Sequence, residues 1–183
     1  MTRTPLHDPV ELSHLIQDLA IVKGRITLSS GAVSDHYFDL RNISFHPRGF
    51  PLVGHAVLHT SDLWQYDAVA GLVLGAVPLA LATMSAAHDL GHELPAAAIR
   101  KEAKRHGLGK RVEGADLQGK RVLVVEDTST TGASTLDAVA AVQDEGATVV
   151  GVVLLVDRGG ADRISAAGTP VRSVFTAAEL LNA

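Results

Sequence analysis

The run Val122-Leu123-Val124-Val125 constrains the fold more than any other stretch of this chain. Four consecutive apolar residues, three of them β-branched, suit a strand buried on both faces, as in a parallel sheet covered by helices. Two carboxylates, Glu126 and Asp127, follow where that strand is expected to end. Thr128, Ser129, Thr130 and Thr131 then lead through Gly132 into a helical stretch from Ala133, through Ser134, to about Glu145. In that order these parts make a place for a sugar phosphate. The backbone N–H groups of the turn and of the helix start can hold a phosphate. The carboxylates just upstream can accept hydrogen bonds from ribose hydroxyls. A plain helix cap needs one Asp or Ser, not two acids, four hydroxyls and a glycine.

The rest of the chain repeats the strand–helix alternation. Asp8 stands as the N-cap of a first helix, with Pro9 at its first position, Glu11 at capping-box spacing, and Leu12, Leu15, Ile16 and Leu19 on one apolar face. Ile26–Leu28 and Tyr37–Leu40 read as short strands around Ser29-Ser30-Gly31, a hairpin pattern, and a helix is expected from near Pro51 to Leu63. Strands at 68–72, 96–100, 121–126 and 149–156 alternate with helices at 78–88 and 133–145, before a last strand at 171–174 and a short helix at 177–181. Such alternation predicts an α/β fold with a parallel sheet and a site outside the carboxyl ends of its strands. At 183 residues the chain is expected to form a single domain, and no repeat or linker divides it.

Composition removes several kinds of chemistry. The chain has no cysteine, so disulfides, thiolate catalysis and cysteine-ligated metals are excluded. Its first residues lack the apolar stretch of a signal peptide, so a cytoplasmic location is the expectation. Ala68 to Ala87 carries no charge and is long enough to span a bilayer. Gly71, Gly75 and Pro78 interrupt it and no Lys or Arg flanks it, so a buried strand, a glycine turn and a core helix explain it better, and no membrane association is expected. His55/His59 and His88/His92 sit four apart, but neither pair has an obvious third ligand, so no protein-held metal is expected.

The net charge is −4, yet six of the sixteen basic residues crowd into 100–111: Arg100, Lys101, Lys104, Arg105, Lys110 and Arg111. Outside that window ten basic residues face nineteen acidic ones, which argues against nucleic-acid binding. Glycines at 107 and 109 and the lack of apolar periodicity predict a mobile loop over 101–111, disordered without ligand. Cations this close repel one another until a polyanion arrives, which suits closure over a pyrophosphate.

Residues 122–134 resemble, over all thirteen positions, the phosphoribosyl-diphosphate (PRPP) motif of the type I phosphoribosyltransferases, with Glu126 where aspartate is more usual. The segment Arg100-Lys101-Glu102-Ala103-Lys104-Arg105-His106-Gly107, between a core strand and that motif, resembles the catalytic loop of the orotate phosphoribosyltransferases. The resemblance spans nearly the whole chain. It implies a central parallel sheet flanked by helices, with a small N-terminal hood from about 20 to 45. It further implies a homodimer with shared active sites, and transfer of ribose 5-phosphate from PRPP to orotate in pyrimidine biosynthesis. Mg²⁺ would ride on the pyrophosphate and the ribose hydroxyls. Arg100, Lys101, Lys104 and His106 would meet the pyrophosphate, with Lys101, Lys104 and His106 in the catalytic role. Glu126 and Asp127 would hold the ribose hydroxyls, and Thr128, Ser129, Thr130, Thr131, Gly132, Ala133 and Ser134 would wrap the 5′-phosphate. Thr130 and Arg158 would contact orotate, whose carboxylate and carbonyl oxygens suit an arginine fork.

The chain departs from many members at Ser29 and Gly75, where they carry substrate-contacting lysines. Arg41 or the basic loop is the expected compensation, and Tyr37 and Phe38 both remain candidates to stack on the base. A transferase for another base, and a non-catalytic PRPP-sensing regulator on the same fold, are the competing readings.

Overall fold

The computed structural model describes residues 8–27, 33–102 and 111–182. Helix α1 (Pro9–Leu19) starts as expected: the Asp8 carboxylate accepts from the N–H groups of Val10 at 3.1 Å and Glu11 at 2.9 Å. Glu11 does not complete a capping box. Its carboxylate instead takes the Arg48 guanidinium at 2.6 Å. Leu12, Leu15 and Ile16 are buried, whereas Leu19, at the helix end, is 40% exposed and not part of the buried face.

Strands β1 (Ile21–Thr27) and β2 (Val33–Phe38) form a separate antiparallel hairpin, with Ile21 opposite Phe38. Its tip, including Ser29, lies outside the described residues. Short α2 (Arg41–Ser44) and α3 (Gly49–Thr60) lead to β3 (Ala68–Leu72), α4 (Val77–Asp89), β4 (Ala96–Ile99) and β5 (Val112–Gly114). Next come β6 (Arg121–Ser129), α5 (Ala133–Asp144), β7 (Thr148–Asp157), α6 (Ala161–Ala166), β8 (Val171–Thr176) and α7 (Ala177–Asn182).

The main sheet has six strands in the order β5-β4-β3-β6-β7-β8. All neighbours pair in parallel except β5, which runs antiparallel to β4 along one edge. The sheet is therefore mixed at its margin rather than wholly parallel. A three-residue strand carries too little alternation to be seen in sequence, and the four-residue α2 and six-residue α6 escape notice for the same reason.

Period-two alternation along the strands divides the core. Val69, Leu123, Val125, Val153 and Leu155 pack with Leu12, Ile16, Val53, Val57 and Leu79 from α1, α3 and α4. Ala68, Ala70, Val122, Val124, Val152 and Leu154 pack with Ala138 and Val142 of α5 and Ile164 of α6. The uncharged stretch from Ala68 is thus β3, a turn and the start of α4, and no described helix is long and apolar enough to cross a membrane.

One boundary matters for the site. Strand β6 does not end before its acids: Glu126, Thr128 and Ser129 still pair with Leu154, Val156 and Asp157 of β7. The ten-residue β7 offers ladder partners beyond the apolar run, so the strand continues until they are used. The acid pair is held by the sheet itself rather than by a turn.

Candidate active site

At the carboxyl end of the sheet a cleft of about 400 Å³ opens between β6, the β3–α4 turn and the end of the hairpin. Glu126, Asp127, Thr128 and Ser134 line one side, Leu72 to Gly75 a second, and Tyr37, Phe38, Asp39 and Arg41 a third. Lys101 and Arg158 complete the rim.

Strand alternation sends Glu126 towards α5, in line with Val122 and Val124, and Asp127 towards the β3–α4 turn. Glu126 is 6% exposed. Burial, then the charge of neighbouring Asp127 and a side-chain hydrogen bond with it, raise the Glu126 carboxyl to about 8. Glu126 therefore keeps its proton through neutral pH in the free protein. Asp127 accepts the Thr128 N–H at 2.8 Å. It also fills the space over Gly75: a Cβ built there would lie 2.1 Å from Asp127 Oδ2. A lysine at that position would have to displace the carboxylate, so the glycine and the placement of Asp127 belong together.

The hydroxyl-rich turn divides by direction. Thr130 and Thr131 are exposed, and the Thr131 hydroxyl accepts the Ala133 N–H at 3.4 Å. Thr128 Oγ1 is buried at the cleft wall without a partner among the described residues, a polar atom that favours a ligand contact. Ser129 turns inward, 5% exposed, with its hydroxyl 3.2 Å from Thr135 Oγ1. Gly132 takes φ 71° as the N-cap of α5, a left-handed conformation that glycine adopts without steric cost. Its missing side chain lets the turn approach the Gly160 carbonyl, since a Cβ would sit 2.9 Å from that oxygen.

Arg158 follows β7, and its N–H donates to the Ser129 carbonyl at 2.9 Å. Asp157 before it is spent locally, as one carboxylate oxygen accepts the N–H groups of Gly159, Gly160 and Ala161 at 2.9, 2.9 and 3.2 Å. The Arg158 guanidinium lies 5.3 Å over the Phe38 ring centroid, a cation–π contact. Phe38 is 4% exposed, so it serves as the platform under Arg158, while Tyr37 lines the cleft half-buried. Arg41 grips Asp39 with two hydrogen bonds, at 2.7 and 3.0 Å. That hydrogen bonding holds the Asp39 carboxyl below its usual range, and Arg41 also feels the charge of Asp127.

The expected residues are thus partly assembled. Glu126, Asp127, Thr128, Ser134, Lys101 and Arg158 share the cleft, whereas Lys104 and His106, with most of the expected mobile loop, lie outside the described residues. Arg100 is not on the cleft wall. Its guanidinium donates to Glu113 at 3.0 Å, tying the end of β4 to β5. Leu72 to Leu74 and Thr135 are not singled out by sequence. The Asp39/Arg41 pair had a visible signal, opposite charges two apart beside a hairpin; Thr135 had none, because only the fold brings it to Glu126. No group of three or more metal-ligating side chains forms among the described residues.

Comparison with known proteins agrees with this geometry. Residues 41–168 match the family model described as phosphoribosyl transferase domain. An orotate phosphoribosyltransferase of Corynebacterium glutamicum is 50% identical over 172 residues, covering 93% of this chain and 92% of that protein. One from Mycobacterium leprae is 49% identical over 175 residues, covering 94% and 96%. Among solved structures, the Mycobacterium tuberculosis orotate phosphoribosyltransferase in complex with PRPP superposes with a TM-score of 0.80 at 43% identity, covering 94% of this chain and 98% of that one.

Proposed function

The chain belongs to the orotate phosphoribosyltransferases of the phosphoribosyl transferase family, and on that premise we propose how its cleft transfers ribose 5-phosphate from PRPP to orotate. The products are orotidine 5′-phosphate and pyrophosphate, a step of pyrimidine biosynthesis. The observation that carries this reading is the acid pair Glu126-Asp127 held by the sheet across a single cleft from Arg158 on its Phe38 platform.

Asp127 and Glu126 receive the ribose hydroxyls. The turn from Thr128 to Ser134 takes the 5′-phosphate on its N–H groups and its outward hydroxyls, Ser129 keeping its hydroxyl inward on Thr135, helped by the N-terminus of α5. Arg158 faces orotate and reads its carboxylate with a planar fork; Thr130 is a second contact to the ring. Lys101 stands at the rim where pyrophosphate departs, with Lys104, His106 and Arg100 of the same segment as its partners in that role. Arg100 takes part by leaving Glu113, with which it pairs in the free chain.

In the reaction, N1 of orotate bonds to C1 of the ribose as the bond from C1 to the pyrophosphate oxygen breaks, and the proton on N1 leaves to the departing pyrophosphate or to water. The protein supplies no nucleophile. Its contribution is to align the two reactants, exclude water and neutralise the charge that builds on the leaving group. The site chemistry fits an Mg²⁺ ion arriving on the substrate, because PRPP brings the phosphate and hydroxyl oxygens that the ion prefers. That ion would neutralise pyrophosphate charge, and no side chain of this chain is assigned to it. Arg41, which lines the same cleft as Asp127 and feels its charge, supplies the positive charge that a lysine supplies in many relatives.

A homodimer with shared sites and a cytoplasmic location complete the proposal. Support for the dimer comes from an apolar groove of about 500 Å³ lined by Phe45, Phe50, Val77, Pro78 and Leu81. It adjoins the cleft through Leu74, which lines both. To test the reaction, the protein is mixed with PRPP, Mg²⁺ and orotate and the orotate absorbance is followed. Decay dependent on PRPP is expected. No decay with orotate, but turnover with adenine, guanine or uracil, would refute the assignment.

A further inference from the structure

Thr135 sits in the first turn of α5 at 1% exposure, on the buried helix face that continues through Ala138, Val139 and Val142. Nothing in that packing calls for a hydroxyl, and a buried hydroxyl without partners is destabilising. Its oxygen lies 3.2 Å from Ser129 Oγ and 3.4 Å from Glu126 Oε2. Thr135 has one proton to donate, and the position of its partners decides where it goes. The carboxyl oxygen accepts it, and the Ser129 hydroxyl donates to Thr135 in turn. The result is a buried chain of two hydroxyls that ends on one oxygen of Glu126.

We infer that Thr135, anchored by Ser129, is a positioning residue that fixes the Glu126 carboxyl for the ribose of PRPP. This rests on the reading that Glu126 meets the ribose hydroxyls. Glutamate has one more side-chain torsion than aspartate, so a glutamate at a sugar-binding position can swing in a way that aspartate cannot. The contact from α5 restrains that torsion at Oε2. It also favours the ionised form of Glu126, against burial and the Asp127 charge, which favour the neutral one.

The charged groups around Glu126 are few enough to separate the effect. Asp127 adjoins it on β6, while Asp39, Arg41, Lys101 and Arg158 share the cleft. β3 carries no charged residue, Asp157 of β7 is engaged by the start of α6, and Asp137 of α5 is paired with Arg111. Among the described residues, none of these is hydrogen-bonded to the Ser129 or Thr135 hydroxyl.

The test compares Thr135→Val, which keeps shape and removes the hydroxyl, with Thr135→Ser, which restores it. Both kcat and KM are measured for each substrate from pH 6 to 9. In Thr135→Val the KM for PRPP should rise by roughly 3- to 10-fold, the loss of one hydrogen bond, while the KM for orotate stays within about twofold. The acid limb of kcat/KM for PRPP should move up by roughly half a pH unit, because the ionised form has lost its donor. Thr135→Ser should follow wild type in both respects. A Thr135→Val enzyme that matches Thr135→Ser in PRPP KM and in pH profile would overturn the inference. Should Thr135→Val fail to fold, Ser129→Ala takes its place, and an unchanged PRPP KM and pH profile there would overturn it equally. Wild-type protein inactive on orotate would instead remove the underlying reading, so the two failures are told apart.

Discussion

At the scale of single residues, most of the chemistry lies in how two adjacent carboxylates are kept unlike each other. Glu126 is buried against α5 and raised to about 8, whereas Asp127 turns into the cleft over Gly75. The raised value has a consequence for stability. In the unfolded chain Glu126 ionises near its ordinary value of 4.5, but in the folded chain it holds its proton until about 8. The unfolded state therefore binds fewer protons between those limits, and stability falls as pH rises through that window. Glu126→Gln cannot ionise and should escape this loss. Relative to wild type its unfolding free energy should improve by on the order of 1–3 kcal/mol from pH 5 to pH 8.5, as read by urea unfolding at each pH. A constant difference across that range would contradict the burial of a neutral acid. Asp127 is sensitive in another way. Gly75→Ala would push a Cβ against its carboxylate, so kcat/KM for PRPP should fall by roughly 10-fold or more while the melting temperature stays within a few degrees. A large loss of stability with activity intact would show that the glycine serves the turn and not the acid.

At the scale of elements, legibility followed the strength of the local pattern. The apolar run of β6, the capped start of α1 and the strand–helix alternation that builds the sheet could all be read, because each is long enough to show its period. Strand β5, α2 and α6 could not, being three, four and six residues long. Sequence alone ends β6 at Glu126, because acids and hydroxyls weigh against a strand locally; β7 overrides that preference by pairing as far as Ser129. The site shows the same division. The segment from Glu126 to Ser134 was visible because its parts are contiguous. The contacts of Phe38 with Arg158, Gly75 with Asp127 and Thr135 with Glu126 join residues 120, 52 and 9 positions apart and exist only after folding. Helix packing offers a check at this scale. A Cβ at Gly54 of α3 would lie 2.2 Å from the Ala82 carbonyl of α4. That atom is backbone and cannot rotate away. Gly54→Ala should therefore cost about 3 kcal/mol or more by overpacking, and an unchanged melting temperature would show that α3 and α4 are less tightly joined than described.

At the scale of the whole molecule, the cleft is shared by parts of different origin: the sheet end, the β3–α4 turn and the hairpin that overhangs them. Phe45 and Leu74 are 64% and 61% exposed on the apolar groove beside it, a pattern that marks an interface. On the proposed homodimer, Leu81→Glu on that groove should lower the mass measured by sedimentation towards that of a monomer, and with it the activity; an unchanged dimer mass would rule out this groove as the interface, and a wild-type protein already monomeric would rule out the dimer. On the proposed function the cleft selects orotate through Arg158, held on Phe38, while the acids and the turn handle PRPP. The most direct measurement is steady-state kinetics of Arg158→Ala with each substrate varied in turn. In that variant kcat/KM for orotate should fall by roughly 100-fold, the loss of a charge-assisted contact to a carboxylate, while the KM for PRPP changes by less than about threefold. Orotate kinetics unchanged from wild type, or losses equal for both substrates, would contradict it.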